Sequence, residues 1–166
     1  AFKQPTAVLA DINTLQTLPR EEFAAGLAEV IKHGLISSPQ LFDDVEREGR
    51  RLHLASPHRL QGMVSEAIQV KQEVVQEDPF EHGRRAVLNL GHTFAHAIEQ
   101  VSQYKVGHGT AVAMGLVTAV HLSARLEYCD PKLQTRLEKV LADVNLPTRI
   151  PAEYSPERLY QAMGSD

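Results

Sequence analysis

Residues 85–99 read Arg85-Ala86-Val87-Leu88-Asn89-Leu90-Gly91-His92-Thr93-Phe94-Ala95-His96-Ala97-Ile98-Glu99. Apolar side chains recur at helical spacing and would pack on nearly every side, which predicts a helix buried in a domain core. The polar side chains fall within one narrow stripe at about 100° per residue; they are Arg85, Asn89, His92 and His96. A buried stripe of this kind is costly unless it faces a polar cavity, a ligand or a metal. One histidine alone would usually be a surface or a satisfied core residue, but four aligned polar groups favour a site.

The rest of the chain is predicted to be helical too. Leu18-Pro19 is expected to open a first helix, and Ser155 with Pro156 to cap a last one. Between them, apolar spacing predicts helices over about residues 40–48, 57–76, 84–102, 109–126 and 132–144. The expected fold is therefore mainly α, a domain of six or seven helices.

The start of the chain has a different pattern. Residues 7–12 form a short apolar run that ends in turn-forming residues, which predicts one strand completing a sheet upstream. The sequence does not begin with methionine and stops within a helical pattern, so we expect a fragment of a longer protein. On this interpretation residues 1–17 are a strand and linker from an upstream domain, and residues 18–166 are the helical metal- and substrate-binding domain.

Composition narrows the class of protein. An apolar fraction of 43% is enough for a core, and a net charge of −4 gives no electrostatic reason to expect nucleic acid or an anionic membrane as partner. No apolar run approaches the roughly 18 residues of a membrane-spanning helix. The single cysteine, Cys129, excludes a disulfide framework and fits a cytoplasmic location.

Two further segments carry metal-ligating groups. His108 lies between two glycines at a predicted helix N-terminus, where the helix dipole favours the neutral imidazole that binds metals. Glu29 and Lys32 lie three residues apart on an apolar helix; a weak surface ion pair is the alternative. A carboxylate and two imidazoles would make a three-ligand zinc site with an open position. The candidates are Glu29, His108 and either His92 or His96, and spacing alone does not choose between the last two.

Cations accompany these candidates. Lys71 interrupts a largely apolar helix, and with Lys32 and Arg85 it could bind an acidic substrate, although a solvated lysine is the commoner situation.

Three segments, residues 27–32, 88–99 and 108–113, resemble the signature segments of the 3-dehydroquinate synthase family, and the similarity extends over about residues 4–151. The resemblance implies that the metal ligands are Glu29, His92 and His108, and that His96 is a substrate contact. It also implies that five further residues lie at active-site positions: Lys32, Lys71, Glu81, Arg85 and Asn89. Ala95 and Thr110 depart from the family's pattern, but neither removes a ligand.

What the family does is implied in the same way. Its members are two-domain enzymes in which an N-terminal half binds NAD and a helical C-terminal half holds Zn²⁺ or Co²⁺. They convert 3-deoxy-arabino-heptulosonate 7-phosphate, a small sugar phosphate, to 3-dehydroquinate and phosphate in the shikimate pathway of aromatic amino-acid biosynthesis. The resemblance therefore implies that the NAD-binding domain is absent from this chain, that the fragment alone is inactive, and that the full-length enzyme is a cytoplasmic homodimer.

Three alternatives stay open. Another sugar-phosphate cyclase would share the metal site but differ in its contacts to a substrate carboxylate. A metal-dependent polyol dehydrogenase would need no phosphate contacts. A helical binding module without catalysis would leave Glu29, His92 and His108 exposed and free of metal.

Overall fold

The computed structural model describes residues 5–164, which are mainly helical. The α-helices are α1 (Arg20–Ile36), α2 (Pro39–Glu48), α3 (Pro57–Glu77), α4 (His92–Val101), α5 (His108–Arg125), α6 (Lys132–Asp143) and α7 (Pro156–Met163). Short 3-10 helices cover Ile12–Thr17, Gly49–Leu54 and Arg84–Asn89. The prediction of a mainly α domain is thus confirmed. None of the helices described is long and apolar enough to cross a membrane.

Serine–proline pairs begin three of the helices. The hydroxyls of Ser38, Ser56 and Ser155 each accept a hydrogen bond from the backbone N–H three residues later, at 3.2–3.3 Å. The proline that follows each serine has its ring at a position where no backbone N–H is needed. The predicted cap at Ser155 is confirmed.

Helix α5 lies at the centre of the fold, packed against α1, α4 and α6. A glycine allows its close approach to α1, because a Cβ at Gly109 would lie 2.2 Å from the carbonyl oxygen of Ala25. A second glycine does the same for α4, because a Cβ at Gly115 would lie 2.2 Å from the carbonyl oxygen of Gly91. The first contact brings the start of α5 against α1, and the second brings the start of α4 against the middle of α5.

The predicted strand over residues 7–12 is wrong. The part of the chain that the structure describes contains no β-strand, and a 3-10 helix starts at Ile12. Val8 and Leu9 are largely exposed. A strand needs a hydrogen-bonding neighbour, and residues 5–164 supply none. Residues 1–4 of the predicted segment 1–17, and residues 165–166, lie outside the described residues.

The single helix predicted over residues 84–102 is also wrong, because it is broken at Gly91. This residue has φ of 78°, in the left-handed region, and separates the 3-10 helix Arg84–Asn89 from α4. A Cβ at Gly91 would lie 2.8 Å from the backbone nitrogen of Leu116. Arg85 and Asn89 therefore do not share a continuous helical stripe with the histidines, although the fold still brings both to the site described below.

Candidate metal and substrate site

Three segments distant in sequence meet at one group of ligand atoms. Glu29 lies in the middle of α1, His92 is the first residue of α4 and His108 is the first residue of α5. One potential ligand atom from each lies within 4.8 Å of the others. Oε1 of Glu29 is 3.5 Å from Nε2 of His92 and 3.4 Å from Nε2 of His108. Two imidazoles and a carboxylate facing one point form the donor set of a catalytic zinc site.

His92 is suited to the neutral form that a metal requires. Burial and the positive charge of Lys32 lower the pKa of His92, and the opposing attraction of Glu29 does not offset them. The position of the His92 ring at the N-terminus of α4 disfavours a positive charge as well. An imidazolium must lose a proton before its nitrogen can bind a metal, so a ring that is already neutral binds the metal at a lower free-energy cost.

The other nitrogen of each ring lies near an acceptor. Nδ1 of His92 is 3.4 Å from the carbonyl oxygen of Leu90, and Nδ1 of His108 is 3.1 Å from Oε1 of Glu99. A proton on Nδ1 satisfies these acceptors and leaves the Nε2 lone pair facing Glu29. The arrangement therefore fits a metal bound through both Nε2 atoms.

Lys32 fixes the carboxylate of Glu29. Its buried Nζ lies 2.6 Å from Oε2 of Glu29 and donates a hydrogen bond of 2.7 Å to the carbonyl oxygen of Leu88. Burial alone would raise the pKa of Glu29, but the hydrogen bond and charge of Lys32 outweigh it, and the pKa is held below its usual value. Glu29 is thus an anion whose Oε1 is free to face the histidines. The weak surface ion pair considered from the sequence is not what the structure shows.

These ligands open onto a cavity of about 390 Å³. Its lining comprises Glu29, Lys32, His33, Lys71, Glu81, Arg85, Leu88, Asn89, His92 and His108. Three lysine or arginine side chains and two carboxylates therefore face one space. Such a cavity suits a small, polar, anionic molecule better than an apolar one.

The segment between α3 and α4 forms one wall of this cavity, and Asp78 organises it. The Asp78 carboxylate accepts hydrogen bonds from the backbone N–H groups of Arg85, His82 and Gly83, at 2.8–3.0 Å. Chiefly because of the bond from Arg85, the pKa of Asp78 is lowered to about 2. Glu81 adopts φ of 61° within this loop, so its backbone is held in a conformation that non-glycine residues seldom adopt.

The polar side chains of this wall contact one another. Glu81 accepts a 3.1 Å hydrogen bond from Nδ2 of Asn89 through Oε1, and its Oε2 lies 3.9 Å from Nε of Arg85. Nη1 of Arg85 donates to the carbonyl oxygen of Pro79 at 2.8 Å. Within the described residues Lys71 has no ion-pair partner. The cavity lining therefore includes one cation, Lys71, that no carboxylate of the described residues pairs with.

The structure brings together eight of the nine residues predicted for the site. The exception is His96, which lies one turn along α4 from His92, with ring centroids 5.5 Å apart and planes at 89°. It is not part of the cavity lining. Its role as a substrate contact stays a prediction.

Sequence reasoning missed two residues. His33 lines the cavity, is buried, and has an Nδ1 atom without a hydrogen-bond partner in the described part of the chain. His33 follows Glu29 by four residues, so both lie on the same face of α1. This spacing is the signal in the sequence that could have pointed to His33 as a site residue. The second is Glu99, whose spacing of seven residues from His92 likewise indicates a shared helix face.

Comparison with known proteins identifies the family. Residues 26–166 match the family model described as 3-dehydroquinate synthase C-terminal. Over its whole length the chain is 40% identical to a 3-dehydroquinate synthase of Dehalococcoides mccartyi strain 195 and 45% identical to one of Xanthomonas oryzae pv. oryzae strain PXO99A. In both cases the chain spans 46% of the relative's length.

Solved structures agree in fold. ValA, a 2-epi-5-epi-valiolone synthase from Streptomyces hygroscopicus subsp. jinggangensis 5008 with NAD⁺ and Zn²⁺ bound, superposes with a TM-score of 0.85 at 25% identity, over 93% of this chain and 43% of that one. A 2-deoxy-scyllo-inosose synthase superposes with a TM-score of 0.77 at 25% identity, over 93% and 42%. The family model matches residues 26–166, and the identities to the two relatives over the whole chain are 40% and 45%. This chain therefore belongs to the 3-dehydroquinate synthase family.

Proposed function

We propose that this chain is the metal- and substrate-binding part of a 3-dehydroquinate synthase, which converts 3-deoxy-arabino-heptulosonate 7-phosphate to 3-dehydroquinate and phosphate with NAD. The observation that carries the proposal is the donor set of Glu29, His92 and His108 at the edge of a cavity that also contains Lys32, Lys71 and Arg85. The named relatives, at 40% and 45% identity, support this activity. Because the chain spans 46% of their length, we further propose that it does not turn over alone. The homodimer and the cytoplasmic location stay predictions.

Glu29, His92 and His108 would hold Zn²⁺ or Co²⁺. A bound divalent metal lowers the pKa of a coordinated alcohol and polarises a carbonyl oxygen. Lys32 keeps Glu29 ionised and oriented, so the carboxylate is in place before any ligand arrives. NAD would supply the hydride acceptor, and the NAD⁺ and Zn²⁺ bound to ValA support this pairing.

The cations of the cavity suit a substrate with two anionic groups. The heptulosonate phosphate carries a carboxylate and a phosphate ester, and Arg85 and Lys71 can neutralise such groups. The Arg85 guanidinium can bind a carboxylate or phosphate through two parallel hydrogen bonds. The amide of Asn89, held by Glu81, can orient a substrate hydroxyl.

A related cyclase with another sugar phosphate is the second candidate. The TM-score of 0.85 with ValA favours it, because that protein shares the fold. Its identity of 25% is well below the 40% and 45% found with the 3-dehydroquinate synthases, so the latter activity is preferred. Activity on sugar phosphates without a carboxylate distinguishes the two candidate functions. Such a substrate has one anionic group fewer for Lys71 and Arg85 to neutralise.

The test is phosphate release from 3-deoxy-arabino-heptulosonate 7-phosphate by the parent protein at the length of its relatives. We expect release to require NAD, to stop on treatment with EDTA, and to be lost in His92→Ala. The exposed His58 is a matched control, so His58→Ala should retain full activity. Zinc and NAD binding without phosphate release would overturn this substrate assignment and favour another sugar phosphate.

A further inference from the structure

Among the described residues, Glu99 is a carboxylate outside the proposed ligand set that nevertheless touches a proposed ligand. It lies on α4 seven residues after His92, so the two side chains lie on the same face, two turns apart. Its side chain is 14% exposed, and Oε1 lies 3.1 Å from Nδ1 of His108 on α5. No lysine or arginine within residues 5–164 pairs with Glu99, so its charge is directed at an imidazole rather than at a surface cation.

We propose that Glu99 is a positioning residue that acts through His108, holding the proton of that ring on Nδ1 and its Nε2 toward Glu29. The proposal rests on the metal site proposed above. A histidine that donates its second N–H to a carboxylate keeps one tautomer and one ring orientation, and it is a more basic ligand.

The two histidines differ in how much they need such a partner. The His92 side chain is 14% exposed, and the backbone carbonyl of Leu90 lies next to its Nδ1. The His108 side chain is 50% exposed and follows Gly107, so packing does little to fix its ring. Without Glu99 the His108 ring could turn toward solvent, and the third ligand would have to be ordered at the moment of metal binding.

A merely structural role would be to link α4 with α5. That role predicts a change in stability alone. The positioning role predicts a change in the tautomer of His108 and in metal affinity, at temperatures where every variant is folded. The two roles therefore differ in what a metal titration and a nitrogen NMR spectrum report.

The experiment compares the wild-type protein with Glu99→Gln, Glu99→Ala and Glu138→Ala. Glutamine keeps a hydrogen-bond acceptor without the charge, whereas alanine removes both. Glu138 is a matched control, because it is half-buried, accepts a hydrogen bond from Gln134 and lies on α6 away from the cavity. Zn²⁺ affinity is measured by competition with a chromophoric chelator, the Co²⁺ complex by its visible spectrum, and the His108 tautomer in the metal-free protein by ¹⁵N chemical shifts.

We expect Glu99→Ala to weaken Zn²⁺ binding by about 10- to 100-fold. The loss in Glu99→Gln should be smaller, and Glu138→Ala should bind like the wild type. Equal affinity in all four proteins, or an N–H on Nε2 of His108 in the wild type, would overturn the proposal; the tautomer measurement decides even if the alanine variant does not fold. Absence of zinc binding by the wild type would instead count against the metal site itself.

Discussion

At the scale of single residues, the buried His33 makes a pH-dependent contribution to stability. Burial, followed by the charge of Lys32, lowers its pKa to about 4, although Glu29 acts in the opposite direction. The unfolded chain takes up this proton near pH 6.5, so between about pH 6.5 and 4 the unfolded state binds more protons than the folded state. Stability should therefore fall as the pH falls through this window, by up to about 3 kcal/mol from this group.

The measurement is urea unfolding at pH 7 and pH 5 of the wild type, His33→Gln and the exposed-site control His58→Gln. We expect the loss of stability between the two pH values to be smaller in His33→Gln than in the other two proteins. An identical loss in all three would show that His33 is not held neutral by the fold.

The identity of the site residues could be predicted more fully than their geometry. A four-residue spacing puts His92 and His96 on one helix face, so spacing could not choose the ligand. In the structure the His92 ring lies beside Glu29, whereas His96 is not part of the cavity lining; this difference in position supports the ligand choice that the resemblance implies. The burial of the Lys32–Glu29 pair depends on α5 and the 3-10 helix Arg84–Asn89 packing against α1, which no local pattern reveals.

At the scale of elements, periodicity and Ser-Pro pairs located most helices, whereas the breaks between them were harder to find. A 3-10 helix of six residues has nearly the same apolar spacing as an α-helix, so spacing does not indicate that Arg84–Asn89 and His92–Val101 are separate. The turn at Gly91 is required by the contact with α5, which is a tertiary feature. For the apolar run at residues 7–12, composition is strand-like but cannot show whether a partner strand exists.

The contact of α1 with α5 is tested by Gly109→Ala. The added Cβ would lie 2.2 Å from the carbonyl oxygen of Ala25, so the two helices must move apart, which should cost about 1–3 kcal/mol or more. The same movement separates Glu29 from His108, so zinc binding should weaken as well. Gly62 is the matched control, because it lies inside α3 and a Cβ added there would have no atom within 4 Å; Gly62→Ala should stabilise by up to about 1 kcal/mol.

Thermal unfolding and a zinc titration of both alanine variants check this prediction. If Gly109→Ala were as stable as the wild type and bound zinc equally well, the close approach of α1 and α5 would not be what positions the site.

At the scale of the whole molecule, the proposed metal site exists only when the chain is folded. Glu29, His92 and His108 are far apart in the sequence and belong to three different helices, and folding brings their ligand atoms within 4.8 Å of one another. The unfolded chain therefore offers no comparable site, and metal binding must stabilise the fold. Free Zn²⁺ at about 100 times its dissociation constant should add about 2.7 kcal/mol. For a domain of this size that corresponds to a rise in Tm of about 5–10 °C.

Differential scanning calorimetry with and without Zn²⁺ measures this shift, and EDTA should reverse it. His92→Ala removes one ligand and should remove most of the shift, whereas the exposed His58→Ala should retain it. A zinc-induced rise that is the same in His92→Ala would place the bound ion elsewhere, and no rise in the wild type would contradict the metal site. A rise specific to His92 would establish that this helical domain assembles the three ligands by itself, because Glu29, His92 and His108 all lie within it.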